Sequence, residues 1–239
     1  IATMDVNGPA LYLATDHDRA EILERQSETI ADAIRRVPGF TVVASGGRGA
    51  VTSFLPRGGE SDYTLVIADG MPLNAFGGGF DAAHLSIADV ERIEVVRGPQ
   101  SALFGGGAIG GVVHVITRLG GPLHAEGAVE TGGYGTSRLA AGSSGSRGDW
   151  TWGATIDWTG SDGDTREFAS VRGRVANDDY ERVAASARLG WSDRADRRVR
   201  VDVRLSRDER GTPGPFGSDP MGFYGGLDTV SRGRNDTRA

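Results

Sequence analysis

The amino-acid sequence predicts an α+β domain over residues 1–118, followed over residues 119–239 by the N-terminal strands of an antiparallel transmembrane β-barrel. Three observations support this prediction. Amphipathic helical patterns lie among short β-runs in the first part, longer segments of period two fill the second, and 38 glycines are spread between these runs. Glycine at this frequency suits tight turns and close backbone approach, and no G-X-Y repeat of collagen accompanies it.

The composition excludes several classes of protein. The chain has no Cys, so disulfide scaffolds, thiolate metal sites and Cys nucleophiles are excluded. All basic residues are Arg, and the net charge of -6 argues against a nucleic-acid partner. No run approaches about 18 apolar residues, which excludes a transmembrane helix. Transmembrane β-strands are not excluded, because their apolar and polar residues alternate and give no continuous apolar run.

The first part of the chain alternates between strand patterns and helical patterns. Residues 11–15 predict a strand and residues 18–25 a helix. A second helix begins after Ser27 or Thr29, either of which can be its N-cap, and stops at Pro38-Gly39. Its apolar stripe consists of Ile30, Ala33, Ile34 and Val37. Three β-runs bounded by Gly, Pro or Asp follow, at residues 40–45, 63–68 and 91–98.

The second part changes to a period of two residues, with one apolar face and one polar or charged face. Four segments follow this pattern, at residues 123–131, 150–159, 183–192 and 198–206. Trp150, Trp158 and Trp191 lie at segment ends on the apolar face, as in the aromatic girdle of a barrel. A soluble antiparallel sheet gives the same alternation. The barrel is favoured because the long connections, 160–181 and 206–239, fall on one side, as outer loops do.

The number of strands sets a limit on this interpretation. Roughly ten residues per strand, with connections, give about five strands in the second part. Five strands cannot close a barrel, and an open edge in lipid would leave backbone amides unpaired. We therefore expect the chain to be a fragment that is cut at both ends.

Four motifs occur in order along the first part. They are TIADAIRRVPG (29–39), Arg57-Gly58, LVIADGMPLN (65–74) and VERIEVVRGPQSALFGGGAIGGVVHVITR (90–118). Together they resemble the plug domain of TonB-dependent outer-membrane receptors, and the resemblance covers about residues 10–205. It implies a fragment of a plugged, roughly 22-stranded barrel in the bacterial cell outer membrane, with the plug facing the periplasm inside the barrel. Pro56 and His114 depart from the family pattern, and Pro56 puts the local strand pairing in doubt because Pro cannot donate to a ladder.

The resemblance also implies a function. Receptors of this kind take up a scarce, bulky solute such as a siderophore, cobalamin or an oligosaccharide. A TonB-type inner-membrane protein supplies the energy by pulling on a segment that we expect before Ile1. Within the family, the overall plug pattern is slightly more similar to the cobalamin-receptor-like branch than to the other branches. The alternative is a receptor of the same architecture that senses or binds a surface ligand without transporting it.

An enzyme is not predicted, because no nucleophile–base pair or paired carboxylate site can be assembled. Residues 105–110 satisfy G-x-G-x-x-G, but a β-run follows them where a dinucleotide site needs a helix. No cofactor or metal site is predicted, and the four His residues lack metal-ligand spacing. Clustered carboxylates at 160–181 could bind Ca²⁺, with a solvated acidic loop as the alternative. They are Asp162, Asp164, Asp178 and Asp179.

Two sets of candidate site residues follow. In the first set, the resemblance implies that Arg57 and Arg97 face barrel carboxylates, with Glu94 in the same network; solvated turn arginines are the alternative. In the second, it implies that solute meets plug loops at residues 46–53 and 74–84. Charge, stacking and hydrogen bonding there point to Arg48, Asn74, Phe76, Phe80 and Asp81 as substrate-binding residues. An ordinary mobile loop is the alternative for each of them.

Overall fold

The computed structural model describes residues 14–75, 78–163, 178–193, 197–211 and 232–238. The chain divides into two compact units. The first consists of Ile1–Gly46 and Ala50–Arg118, and the second of Gly47–Gly49 and Leu119–Ala239. Within the described residues, no helix has both the length and the apolar character needed to cross a membrane.

The first unit is built on a five-stranded mixed sheet. Its strands are β1 (Ala14–Asp18), β4 (Thr64–Ala68), β5 (Met71–Pro72), β6 (Val90–Arg97) and β7 (Gly111–Thr117), in the order β1-β6-β7-β4-β5. The β4 and β7 strands run parallel, and the other neighbours are antiparallel. Two further strands, β2 (Phe40–Ala44) and β3 (Thr52–Pro56), pair as a separate hairpin. The helices are α1 (Arg19–Glu24), α2 (Ile30–Ile34) and α3 (Ser101–Phe104).

A capping box starts α2. The Thr29 side chain accepts from the Asp32 amide at 3.2 Å, and the Asp32 carboxylate accepts from the Thr29 amide at 3.1 Å. Of the two predicted caps, Thr29 is therefore the one used. The helix ends at Ile34, earlier than predicted, and the chain turns before Pro38, which disfavours helical backbone at Val37. Val37 is buried, and its amide bonds to the Ile34 carbonyl at 2.8 Å.

Apolar residues are buried on both faces of the mixed sheet. One face carries the main core, in which Val66, Ile93 and Val113 join the apolar stripe of α2. The other face carries a smaller cluster of Leu65, Ile67, Val96, Val112 and Ala108, with Phe104 of α3 packed against it. Every residue of β4 is buried, which explains why this strand is a continuous apolar run in the sequence.

The predicted β-runs at 40–45, 63–68 and 91–98 are confirmed as β2, β4 and β6. Of the predicted strand at 11–15, residues 11–13 lie outside the described residues, and β1 begins at Ala14. The β3 strand was not predicted. Its last residue, Pro56, pairs with Phe40, and the Arg57 amide continues with a bond to the Gly39 carbonyl at 2.8 Å. The doubt raised by Pro56 was wrong, because a strand end tolerates a residue that cannot donate.

The second unit is an antiparallel sheet in which each strand pairs with the next along the chain. The strands are β8 (His124–Thr131), β9 (Ser137–Arg147), β10 (Trp150–Ser161), β11 (Tyr180–Ser192), β12 (Arg198–Gly211) and β13 (Arg232–Arg238). The described residues of the second unit thus contain six strands, where about five were predicted. The sixth, RGRNDTR, lies within the predicted long connection at 206–239, which was wrong at these positions; the strand has no apolar alternation, so the period-two signal could not reveal it.

The exposure of the two faces of this sheet supports the barrel over a soluble sheet. The register places Trp158 beside Leu139 and Val183, all on the apolar face. Ile156 on that face is 54% exposed, whereas its neighbour Asp157 on the polar face is 1% exposed. A soluble antiparallel sheet buries its apolar face. A transmembrane barrel shows the opposite pattern, with apolar residues facing outward and polar residues facing inward.

Candidate functional site

A ladder of alternating charges crosses the polar face of the second unit. Asp157 on β10 accepts hydrogen bonds on both carboxylate oxygens: Arg138 Nε lies 2.8 Å from Oδ2, and Arg182 Nη2 lies 2.8 Å from Oδ1. Arg138 also donates from Nη1 to Glu130 Oε1 on β8 at 2.9 Å. Asp208 lies directly opposite Arg182 in the register of β11 and β12. We call these five residues the charge ladder.

The centre of the charge ladder is buried, with Arg182 only 2% exposed. Buried opposite charges attract strongly, and a buried charge without its partner is costly. The ladder therefore holds neighbouring strands in one register. No residue of it was predicted as a site residue. The sequence shows only that the polar positions of successive strands carry charges of opposite sign. Which of these charges form pairs can be told only once the register of the strands is known.

The predicted plug–barrel residues lie at separate places in the first unit. Arg57 is exposed in the turn after β3, where its backbone is left-handed at φ 52°. Arg97 ends β6 and donates from Nη1 to the Pro38 carbonyl at 3.3 Å. Glu94 lies in the middle of β6, with its side chain on the face that carries the smaller apolar cluster. Contact of these three residues with barrel carboxylates stays a prediction.

Glu94 belongs to a row of ionisable residues across three strands. Asp16 on β1 and His114 on β7 are its directly opposite neighbours. His114 Nδ1 lies 3.3 Å from Glu94 Oε2, and Arg92 Nε donates to Oε1 at 2.9 Å. The hydrogen bond with His114, together with Arg92, lowers the pKa of Glu94. Burial and then the charge of Glu94 raise the pKa of Asp16.

The two polar side chains that flank the turn in LVIADGMPLN bond to backbone. Asn74 Oδ1 accepts from the Val66 amide at 2.7 Å, and Asn74 Nδ2 donates to the Thr64 carbonyl at 2.9 Å. Asp69 accepts from the Thr117 amide at 2.9 Å and from its hydroxyl at 2.5 Å. Asn74 thus imitates a strand partner for β4, and Asp69 joins the end of β4 to the end of β7. The role predicted for Asn74 in substrate binding stays a prediction.

The other predicted substrate-binding residues differ in their surroundings. Arg48 is exposed in the loop between β2 and β3. Phe80 is half-buried against the main core of the first unit. Asp81 Oδ1 accepts from the Thr52 amide at 2.9 Å and from the Ala83 amide at 3.0 Å. Phe76 lies outside the described residues.

The glycine-rich segment closes the smaller apolar cluster instead of cradling a nucleotide. Gly105 ends α3 with φ 86°, a conformation that favours glycine. Gly111 starts β7, and a Cβ there would collide with the Val96 carbonyl and the Phe40 ring. Helix before and strand after is the reverse of the order in a dinucleotide site.

The acidic connection at 160–181 is described only in part, and Asp164 lies outside the described residues. Both carboxylate oxygens of Asp179 accept from Arg232, at 3.0 and 2.6 Å. Where the structure describes the chain, no group of three His, Asp or Glu residues is placed to hold a metal ion. Both interpretations of this connection, as a Ca²⁺ site and as a solvated acidic loop, stay predictions.

Comparison with known proteins follows the same division of the chain. The family model of the TonB-dependent receptor plug domain matches residues 13–112. The vitamin B12 transporter BtuB of Vibrio vulnificus (strain CMCP6) is 42% identical over 99 residues, which are 41% of this chain and 16% of that protein.

Solved structures extend the likeness in fold beyond the plug. The siderophore receptor PirA from Acinetobacter baumannii has a TM-score of 0.64 and 22% identity, covering 82% of this chain and 31% of that one. The pyoverdine outer-membrane receptor FpvA from Pseudomonas aeruginosa PAO1 has a TM-score of 0.67 and 17% identity, covering 82% and 27%. At these identities the likeness concerns the fold alone.

The chain contains the plug domain of the TonB-dependent receptors over residues 13–112, and its relatives and fold neighbours are outer-membrane transporters and receptors, not enzymes. Its first unit holds the plug domain, and its second unit holds antiparallel strands of the receptor barrel fold. It spans 16% of the length of the BtuB relative and about a third or less of the solved receptors.

Proposed function

We propose that the receptor takes up a scarce, bulky solute across the outer membrane with energy from a TonB-type protein, and that the solute is a cobalamin. The plug identity of 42% with a vitamin B12 transporter carries this proposal. Siderophores are the second candidate. The fold neighbours PirA and FpvA are a siderophore receptor and a pyoverdine receptor, but their sequence identity to this chain is low.

The proposed solute contacts are the plug loops at residues 46–53 and 74–84. Arg48 supplies a cation at the surface of the first loop. Phe80 and Phe76 supply aromatic rings to the second, and Asn74 and Asp81 supply polar groups. An apolar surface with a few placed polar groups suits a large ligand such as cobalamin.

Three further contacts complete the proposal. Arg57, Arg97 and Glu94 pair with charged residues of the barrel, which holds the plug by contacts that can break under load. The exposed apolar face of β8 to β12 lies against outer-membrane lipid. The TonB-type protein engages a segment that precedes the plug.

Growth of cells that depend on external cobalamin tests the proposal. The full-length receptor, expressed in cells that lack their own cobalamin receptor, should restore growth on nanomolar cyanocobalamin only when the TonB-type protein is present. Arg57→Ala and Arg97→Ala together should reduce the growth while leaving receptor abundance unchanged. Equal growth with and without the TonB-type protein would contradict energised uptake. Binding of cyanocobalamin without growth would favour the sensing receptor instead.

A further inference from the structure

We propose that Asp81 is a positioning residue that ties the bases of two plug loops together. The hairpin loop comprises residues 45–51, between β2 and β3, and the crossover loop comprises residues 73–81, after β5. The inference rests on the proposed function, in which both loops receive the solute. Under it, Asp81 fixes the spacing of the two loops that receive the solute.

One carboxylate oxygen of Asp81 makes two hydrogen bonds to backbone amides. Asp81 Oδ1 accepts from the amides of Thr52 and Ala83, at 2.9 and 3.0 Å. Ala83 lies in the 3₁₀ turn that follows the crossover loop, so one of these bonds is local. The other reaches across 29 positions of sequence to the first residue of β3. Asp81 therefore joins the end of one loop to the end of the other.

The hairpin loop is closed at the residue that Asp81 holds. Thr52 is buried, and its hydroxyl donates to the Ala50 carbonyl at 2.9 Å. The Ser45 amide bonds to the Val51 carbonyl at 2.9 Å, which brings the two ends of the loop together. A displacement of Thr52 would consequently move the whole base of the hairpin loop.

The crossover loop is fixed at its other end as well. Asn74 bonds to the backbone of β4 through both atoms of its amide. The Gly78 amide bonds to the Ala75 carbonyl at 3.0 Å, and Gly79 lies so close to Ser61 that a Cβ would collide with it. Phe80 packs on the main core directly before Asp81. The described residues at both ends of the crossover loop are therefore held by hydrogen bonds or packing.

Aspartate suits this role better than a residue with a neutral oxygen acceptor does. An ionised carboxylate accepts stronger hydrogen bonds from amides than a neutral oxygen does. Asp81→Asn keeps an acceptor oxygen in the same place, whereas Asp81→Ala removes it. The two variants thus separate a positioning role from the effect of losing the negative charge.

Amide hydrogen exchange of the full-length receptor in detergent micelles tests the tie without any ligand. Asp81→Ala should speed exchange at Thr52 and Ala83 by about tenfold, the effect of losing one hydrogen bond, and Asp81→Asn should speed it less. Asp32→Ala is the matched control, because it removes a carboxylate that caps α2 and should speed exchange only around residues 28–32. Unchanged exchange at Thr52 in Asp81→Ala would overturn the proposal.

The same receptor with cyanocobalamin added tests the consequence. In the wild type, binding should slow exchange in both loops; in Asp81→Ala it should slow exchange in one loop only and weaken affinity by tenfold or so, with partial recovery in Asp81→Asn. Equal protection of both loops in Asp81→Ala would overturn the tie. If the wild type binds no cyanocobalamin, the proposed solute fails, while the ligand-free exchange at Thr52 still decides the role of Asp81.

Discussion

At the scale of single residues, three polar side chains of the plug bond to backbone groups of other segments. Asn74, Asp69 and Asp81 reach Val66, Thr117 and Thr52, respectively. Each side chain supplies an acceptor to an amide that would otherwise need another partner, which is costly inside a protein. The polar residues of the recognisable motif are therefore also structural residues of the plug.

The row of Asp16, Glu94 and His114 gives a pH dependence at this scale. The pKa of Asp16 is raised by burial and by Glu94, so its protonated form favours the fold. That contribution is complete in acid and is lost as pH rises through the raised pKa. The pKa of Glu94 is lowered by His114 and Arg92, so its contribution is present near neutral pH and is lost as pH falls through the lowered pKa.

The Asp16→Asn variant should therefore exchange its β1 amides more slowly than the wild type at pH 7, because the substitution removes a carboxylate that faces Glu94. The advantage should be on the order of twofold in the exchange rates of β1 amides, since Asp16 is only partly shielded from solvent. It should vanish towards pH 3, where the wild-type carboxyl is protonated. The measurement is amide exchange of the full-length receptor, compared with Asp18→Asn as control. An advantage that persists at pH 3 would contradict this explanation.

Sequence patterns could predict only the local part of these contacts. Thr29 lies directly before the apolar stripe of α2, so the sequence could predict it as one of two possible N-caps, although not its partner Asp32. The bond from Asp81 to Thr52 joins residues whose proximity depends on the fold, and Asp81 was instead predicted to bind substrate. The β3 strand was missed because its Pro56 suggested a break, although at the end of a strand a proline costs no ladder bond.

At the scale of elements, the charge ladder ties β8 to β12 from within their polar face. Five adjacent strands each contribute one charged residue, with signs that alternate from Glu130 to Asp208. The alternation in the sequence predicted which face is polar. It could not predict the pairs, because these depend on the diagonal offset between β9, β10 and β11.

Asp157 is the residue on which this ladder depends most. Asp157→Ala should lower the unfolding free energy of the full-length receptor by about 3–5 kcal/mol, because it leaves two buried guanidinium groups short of a counter-charge. Asp157→Asn should cost less, since one acceptor oxygen remains. Denaturant unfolding in detergent micelles measures both.

Glu209→Gln is the control for this prediction. Glu209 pairs with Arg207 at 2.7 Å on the same sheet, but both side chains are exposed. Exposed pairs contribute little, so this variant should unfold almost as the wild type does. A loss for Asp157→Ala no larger than that for Glu209→Gln would show that the ladder does not stabilise the sheet.

At the scale of the whole molecule, the two units differ in what they bury. The plug follows the rule of soluble proteins and buries its apolar residues on both faces of its sheet. The second unit exposes its apolar residues and buries Asp157, Arg182 and Arg188. Such a face is stable against hydrocarbon, which agrees with the fold that this unit shares with outer-membrane receptors.

The orientation of β12 towards lipid tests this account most directly. The chain has no Cys, so single cysteines can carry spin labels at successive positions from Val199 to Arg204 in the full-length receptor in bilayers. Labels at Val199, Val201 and Val203 should collide readily with oxygen dissolved in the hydrocarbon. Labels at Arg200, Asp202 and Arg204 should not. An accessibility without this two-residue period, or with the polar positions facing lipid, would contradict the membrane orientation on which the proposed uptake depends.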